Sequence, residues 1–473
     1  MWTLKHKRDS YTFISNLNDT TANRELTTSL KRDGYLLSEY YTNDKFEALA
    51  KWVKQRRNLL VSDNGNFSRM KKIAETFTDE GKALLEKAKN DGISDLILLE
   101  RKTLIIKIAD HCKTELSKQD KPAIIQTQLK INPDYMIALE DLTVPVIMLC
   151  GLFDPIFSPQ ADEIKDYQKI SVDLYKSQKN GDFGSKAELE NVRKFHVLHA
   201  YDFSSAEQAA SHINTLKPDG VAVSFGGAMK SKRWIENWNL GDRNIAFTEK
   251  LPEMYLAAAS ICLGYSKGNP LDTPIHILGV GSPILIALLG LMFHKSRAIS
   301  IDSTAPFKDA FQSKIYGSRF GFLKMDMYKV AAYALINNEP YSTHTPFFKE
   351  FEAAFPHNWE KLRTELGVTS ATPVKDLTEL LETEIQLVEQ HIPFFLKMRA
   401  GNDSLIKHLR VARAGHNYWI LNRICHAIRT RQGDFDKLSD WTNFQVKRYK
   451  KIAHPKWAKT LEVIYKEVND SFS

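Results

Sequence analysis

PIHILGVGSPILIALLGLMFHKSRAISIDST, residues 274–304, reads as strand, turn, helix and strand. Pro274 to Val280 is a short buried strand. Gly279, Gly281, Ser282 and Pro283 make the turn. Ile284 to His294 is an apolar helix, and Arg297 to Asp302 a second strand. Asp302 ends it, followed by the small polar pair Ser303 and Thr304. This is the βαβ unit of a parallel sheet. A carboxylate at the C-terminal end of such a strand stands where α/β barrels place catalytic groups. Residues 275–293 are apolar enough to invite a membrane reading. The glycines and Pro283 interrupt them, and a buried strand with a core helix is the expectation.

Working outward, the same alternation repeats over some 250 residues. Leu36-Leu37 and Tyr40-Tyr41 suggest a strand or hairpin, and Phe46–Arg57 a helix. RNLLVSDNGNF gives a strand ending at Asp63, and residues 68–130 carry long helical patterns. Tyr135–Leu139 is a strand ending in Glu140-Asp141. Pro159–Gln178 reads as helix, Lys194–His199 as strand, and Ser205–Leu216 as a helix capped by Ser204 or Ser205. Gly220–Ser224 is a strand ending in Gly226-Gly227, Asn244–Phe247 a further strand, and Glu253–Leu263 a helix. With no long antiparallel meander, the expected fold is α/β, a (β/α)8 TIM barrel rather than an open doubly wound sheet. Residues 1–305 form the barrel, although the first 50 give little pattern. Residues 305–375 read as irregular. Residues 376–470 read as helices, making 306–473 a mainly helical region that can close the barrel.

Bulk properties narrow the function. A hydrophobic share of 43% over 473 residues supports a sizeable core. Cys112, Cys150, Cys262 and Cys425 are far apart and form no CxxC, which argues against a zinc knuckle or disulfide framework and for a reducing, cytoplasmic setting. The residues after Met1 are polar and charged, so no secretory signal is expected. Net charge is +8, unevenly spread: residues 396–460 hold 15 Lys/Arg against 4 Asp and no Glu. A basic C-terminal part on a near-neutral body points to a polyanion, with Lys447, Arg448, Lys450 and Lys451 as candidate phosphate contacts. No phosphate-cradling glycine motif links a strand to a helix.

Several strand ends carry reactive or close-approach groups: Asp63, Glu140-Asp141, His199, Gly226-Gly227 and Asp302. A barrel gathers them at one mouth. Paired carboxylates there suit glycosidic chemistry, one attacking the anomeric carbon while the other manages the proton. Glycines let backbone approach a flat base. On spacing alone a sugar-processing barrel fits equally well.

These stretches together resemble the tRNA-guanine transglycosylase superfamily, over about residues 55–305 and again near 416. LLVSDNGNF resembles the strand bearing that family's general acid/base, which assigns the role to Asp63; Asn64 and Asn66 depart from the family pattern. PDYMIALEDLT resembles the segment whose acidic residue reads the guanine edge, on Glu140 or Asp141. The strand ending at His199 resembles one that ends in a base-contacting Gln. DGVAVSFGGAM resembles the Gly-Gly base site, on Gly226 and Gly227. IHILGVGSP followed by Asp302 resembles the nucleophile unit. AGHNYWILNRICHAI resembles the helix carrying a zinc-ligating His, on His416, but no cysteine lies between Asp302 and His416. The expectation is therefore no metal, no other cofactor, and a structural His416. Nothing in the chain resembles the RNA-binding appendage of the family's archaeal members either, and a branch with that character, which the chain resembles, is the DpdA-type DNA-guanine transglycosylase. That resemblance implies exchange of guanine in DNA for 7-cyano-7-deazaguanine through a covalent Asp302 adduct, with an ATPase of a DNA-modification system as a further partner and no membrane. A zinc-free tRNA transglycosylase and an inactive nucleic-acid-binding barrel are the alternatives.

Overall fold

The computed structural model describes residues 11–16, 34–39, 46–55, 59–184, 186–224, 228, 232–268, 273–296, 298–339, 345–396 and 404–472. In chain order its strands are β1 (Tyr11–Asn16), β2 (Gly34–Ser38), β3 (Leu59–Asp63), β4 (Tyr135–Ile137), β5 (Arg193–Leu198) and β6 (Gly220–Ser224). They continue with β7 (Trp234–Leu240), β8 (Arg243–Pro252), β9 (Ile275–Leu278), β10 (Ile299–Ser303), β11 (Lys314–Gly317) and β12 (Leu323–Asp326).

The fold is α/β with a TIM-like parallel barrel. β1 through β6 pair in sequence, β6 pairs with β9, β9 with β10, and β10 returns to β1, every pair parallel. Parallel neighbours require crossover connections, and the long helical run after Asp63 supplies one as three helices, Asn66–Asp91, Asp95–Lys118 and Lys121–Lys130. Ser94 caps the second by accepting from Ile97 N at 3.3 Å, and Asp120 caps the third by accepting from Ala123 N at 2.9 Å.

Alternation along each strand separates two cores. Leu36, Val61, Tyr135, Ile137, Phe195, Val197 and Ala222 fill the inside of the barrel. Ile275, Ile277 and Ile301 face outward into a larger core that includes Leu288 and the C-terminal residues Tyr418, Ile424, Leu461 and Val468. All ten residues of the helix Pro283–Met292 are buried. It contacts the helices Ser404–Arg429, Phe435–Lys450 and Pro455–Phe472, so its apolar surface is covered all round by protein. No described helix is long and apolar enough to cross a membrane.

Three sequence expectations change. Asn244–Phe247 belongs to an antiparallel hairpin, β7–β8, inserted after β6 rather than to the barrel. The helix after β5 is Phe203–Ser211, capped by Asp202, whose carboxylate accepts from Ser205 N at 2.8 Å. Asp202 takes the cap because its oxygen reaches the third amide of the helix, while Ser205 returns its hydroxyl to Asp202. The described residues of 305–375 are not irregular. They form helices at Ala305–Phe311, Met327–Ile336, Pro346–Ala354 and Trp359–Glu365 and the hairpin β11–β12.

Candidate active site

β3 delivers Asp63 to the C-terminal mouth, level with Ser38 on β2 in the strand register. Gly65 N donates to Asp63 Oδ2 at 3.2 Å, in a left-handed turn (φ 70°) that only glycine adopts cheaply. Burial pushes the Asp63 carboxyl up to about 6. The nearby charges of Asp302 and Glu140 add to the rise, and hydrogen bonds from Ser38 and Gly65 oppose it. Asp63, Glu140 and Asp302 therefore share one electrostatic environment.

Glu140, just past β4, is buried. Its Oε2 lies 2.8 Å from His199 Nε2, and its Oε1 accepts from Asn64 Nδ2 at 3.5 Å. Asn64 Nδ2 also donates to Ala138 O at 2.6 Å. From the crossover helix, the buried Gln128 reaches the carbonyls of Ile137 and Ser62 at 3.1 and 3.3 Å, tying the ends of β3 and β4 together. Asn64 thus bridges the end of the Asp63 strand and the segment that carries Glu140.

Asp141 turns the other way. Its Oδ1 accepts from Thr143 N at 2.9 Å, in the turn that leads into the helix Thr143–Leu149, and its own N–H donates to Ser171 Oγ at 3.0 Å. Burial raises its carboxyl above the ordinary range. It lines a cavity of about 10 Å³ with Gln168, His196 and the far side of His199, room for a single water.

Asp302, on β10, is 5% exposed. Gly279 N donates to its Oδ1 at 3.1 Å, and His276 Nε2 lies 3.4 Å from the same oxygen. Oδ2 has no hydrogen bond among the described residues. A carboxylate gripped on one oxygen and open on the other is shaped to attack. Gly279 donates from a positive φ of 75°, which is why glycine stands there. The sequence reading passed over His276 because it sits inside an apolar run; the signal was its place on the strand that faces the Asp302 strand.

Gly226 and Gly227 lie outside the described residues. His416 is 1% exposed, with Nε2 3.0 Å from Tyr316 O and Nδ1 3.3 Å from Thr345 Oγ1, and burial drives its pKa down to about 4. It ties the helix Ser404–Arg429 to β11. Among the described residues no group of three or more His, Cys, Asp or Glu could hold a metal ion.

The four basic candidates at the C-terminal end differ in their surroundings. Arg448 Nε donates to Arg319 O at 2.8 Å, and Lys450 pairs with Glu462 at 2.8 Å. Lys447 and Lys451 are exposed. Comparison with protein-family models and with curated proteins finds no match to this chain.

Proposed function

We propose that the chain is a transglycosylase that exchanges guanine in DNA for 7-cyano-7-deazaguanine, built on a full (β/α)8 barrel. The observation that carries this reading is the division of labour among three neighbouring carboxylates. Asp302 keeps one oxygen open, Asp63 is poised near pH 6, and Glu140 is held at both oxygens by His199 and Asn64. Environments that set acids apart in this way mark acid/base assignments.

The polymer presents a guanine flipped out of its stack, at a cost of a few kcal/mol. Asp302 Oδ2 attacks C1′ as the C1′–N9 bond breaks, and Asp63 gives its proton to the leaving guanine. The deazaguanine then takes the place of guanine beside the hydrogen-bonded Glu140–His199 pair, with Gly226 and Gly227 as the backbone contacts that the resemblance implies. Asp63 removes its N9 proton, N9 attacks C1′, and Asp302 leaves as a carboxylate. Bonds of similar energy are exchanged, so the step itself needs no nucleotide hydrolysis, redox group or metal. A cytoplasmic partner ATPase opens the duplex.

The test feeds radiolabelled 7-cyano-7-deazaguanine to the enzyme with plasmid DNA and with bulk tRNA, adding cell extract as a source of partner. Label in DNA is expected, and Asp302→Asn should abolish both incorporation and any adduct trapped on denaturing gels. Label in tRNA alone makes the polymer tRNA. Label in neither favours an inactive binding barrel.

A further inference from the structure

His276 lies on β9 and is fully buried. Its neighbours in register are Ser300 on β10 and Ala222 on β6. Its ring centroid is 5.7 Å from that of Phe195, which belongs to the barrel interior, whereas Ile275 and Ile277 on either side pack outward. An imidazole inside an apolar barrel is costly unless its nitrogens are bonded. Nδ1 has a partner, Ser300 Oγ at 2.8 Å. Nε2 has no hydrogen bond, and it lies 3.4 Å from Asp302 Oδ1. A phenylalanine or leucine would fill this space without stranding a polar atom, so packing alone does not account for a histidine.

The geometry points to His276 as the positioning residue of the Asp302 nucleophile, a role that rests on the base-exchange reading. The Ser300 hydroxyl donates to Nδ1, which leaves the proton on Nε2, directed at Asp302 Oδ1. With Gly279 N–H on the same oxygen, two donors fix the carboxylate plane and leave Oδ2 for C1′. The 3.4 Å gap closes as the reactive complex assembles, as catalytic hydrogen bonds often do. When Oδ2 forms the ester, negative charge leaves the carboxylate. When the incoming base displaces Asp302, that charge returns, and the waiting Nε2–H and Gly279 N–H receive it. His276 keeps its proton throughout.

The experiment has two readouts on the full chain. The first is the imidazole ¹⁵N spectrum of histidine-labelled protein, with the His276 signal assigned by its loss in His276→Phe. The expected pattern is a protonated Nε2 and an unprotonated Nδ1, with the Nε2 signal moving in Asp302→Asn and the Nδ1 signal moving in Ser300→Ala. A proton on Nδ1, or an Nε2 signal indifferent to Asp302→Asn, overturns the proposal whatever the enzyme's activity. The second readout is exchange kinetics. His276→Phe should lower kcat about 10–100-fold, the worth of one hydrogen bond to a charged group, with KM for the deazaguanine within about twofold. His276→Gln, which keeps an N–H donor and gives a second chance of a folded variant, should recover part of the loss. A kcat for His276→Phe within twofold of wild type overturns the role. If the wild-type spectrum shows the coupling but neither DNA nor tRNA takes up label, the pairing of His276 with Asp302 stands and the base-exchange reading falls.

Discussion

A carboxyl group at the barrel mouth loses water that its backbone neighbours only partly replace, and Asp63 carries the consequence. Its pKa rises from the ordinary 3.8 to about 6. The proton is thus held more tightly in the folded chain than in the unfolded one. The associated stability is fully present below about pH 3.8, is lost as pH rises through about 6, and above that the ionised group opposes folding. Solvent still reaches this partly exposed side chain, so about 1–2 kcal/mol is at stake near pH 8. Asp63→Asn should therefore raise Tm at pH 8 and match the wild type near pH 4; a lower Tm at pH 8 would contradict the burial account. Activity should show the same preference. Adduct formation uses the protonated acid, so its single-turnover rate should fall as pH rises through about 6. Asp63→Asn should remove that limb and slow exchange about 10²–10⁴-fold. Adduct yields on denaturing gels from pH 5 to 8 measure this, and a profile flat across that range would remove Asp63 from the acid role.

At the scale of elements, the turn between β9 and the helix Pro283–Met292 packs against the end of the Asp302 strand. A Cβ on Gly281 would meet Ala305 Cβ at 2.1 Å and Ser303 Oγ at 2.6 Å. Ser303 Oγ already accepts from Ala305 N at 3.0 Å, so neither atom can move without disturbing the residues that follow Asp302. Gly281→Ala should cost about 1–3 kcal/mol by overpacking and depress adduct formation further than its Tm loss accounts for. A folded Gly281→Ala with wild-type adduct yield would show that the turn does not set the position of Asp302. The elements legible in sequence were those with a simple period: the short apolar strands and long helices that alternate from Leu59 to Ser303. The hairpin β7–β8 was legible only in part, as Asn244–Phe247, because an irregularity between Ile235 and Asn237 and the exposed run Thr248–Lys250 interrupt the alternation. The helices between 305 and 375 span only 7–10 residues, too short for a helical period to stand out among scattered aromatics. Within the site, the strand ends named Asp63, Glu140 and Asp302. Sequence could not separate Glu140 from Asp141, because adjacent residues at a strand end turn to different sides. It missed His276 because residues buried on both faces of a parallel strand read as one apolar run.

At the scale of the molecule, the C-terminal helix Pro455–Phe472 packs against the inserted hairpin. β7–β8 follows β6 in the chain, and beside its first strand Arg233 pairs with Asp154 at 2.5 Å and with Glu253. The hairpin meets the helix Pro455–Phe472 through Lys456, 5.1 Å over the half-exposed Trp234 ring, and through the Arg243–Glu467 pair. On the proposed reading, a nucleic acid bound at the C-terminal helices would be neutralised unequally by the four basic candidates. Lys447 and Lys451 are exposed and have no ion pair among the described residues, Lys450 is shared with Glu462, and Arg448 is spent on the Arg319 carbonyl. The log–log dependence of binding on salt changes by about 0.9 for each phosphate neutralised on duplex DNA. Reversing Lys447 and Lys451 together to Glu should therefore flatten the slope by about 2 while leaving Tm near wild type. Arg448→Glu should flatten it less and also lower Tm, since it breaks the hold on the turn where Gly321 packs against the backbone of Gln445 and Tyr449. Filter binding of a labelled duplex at several salt concentrations, with thermal unfolding of the same preparations, separates the two effects. An unchanged slope in the Lys447→Glu, Lys451→Glu double variant would move the phosphate path off this helix.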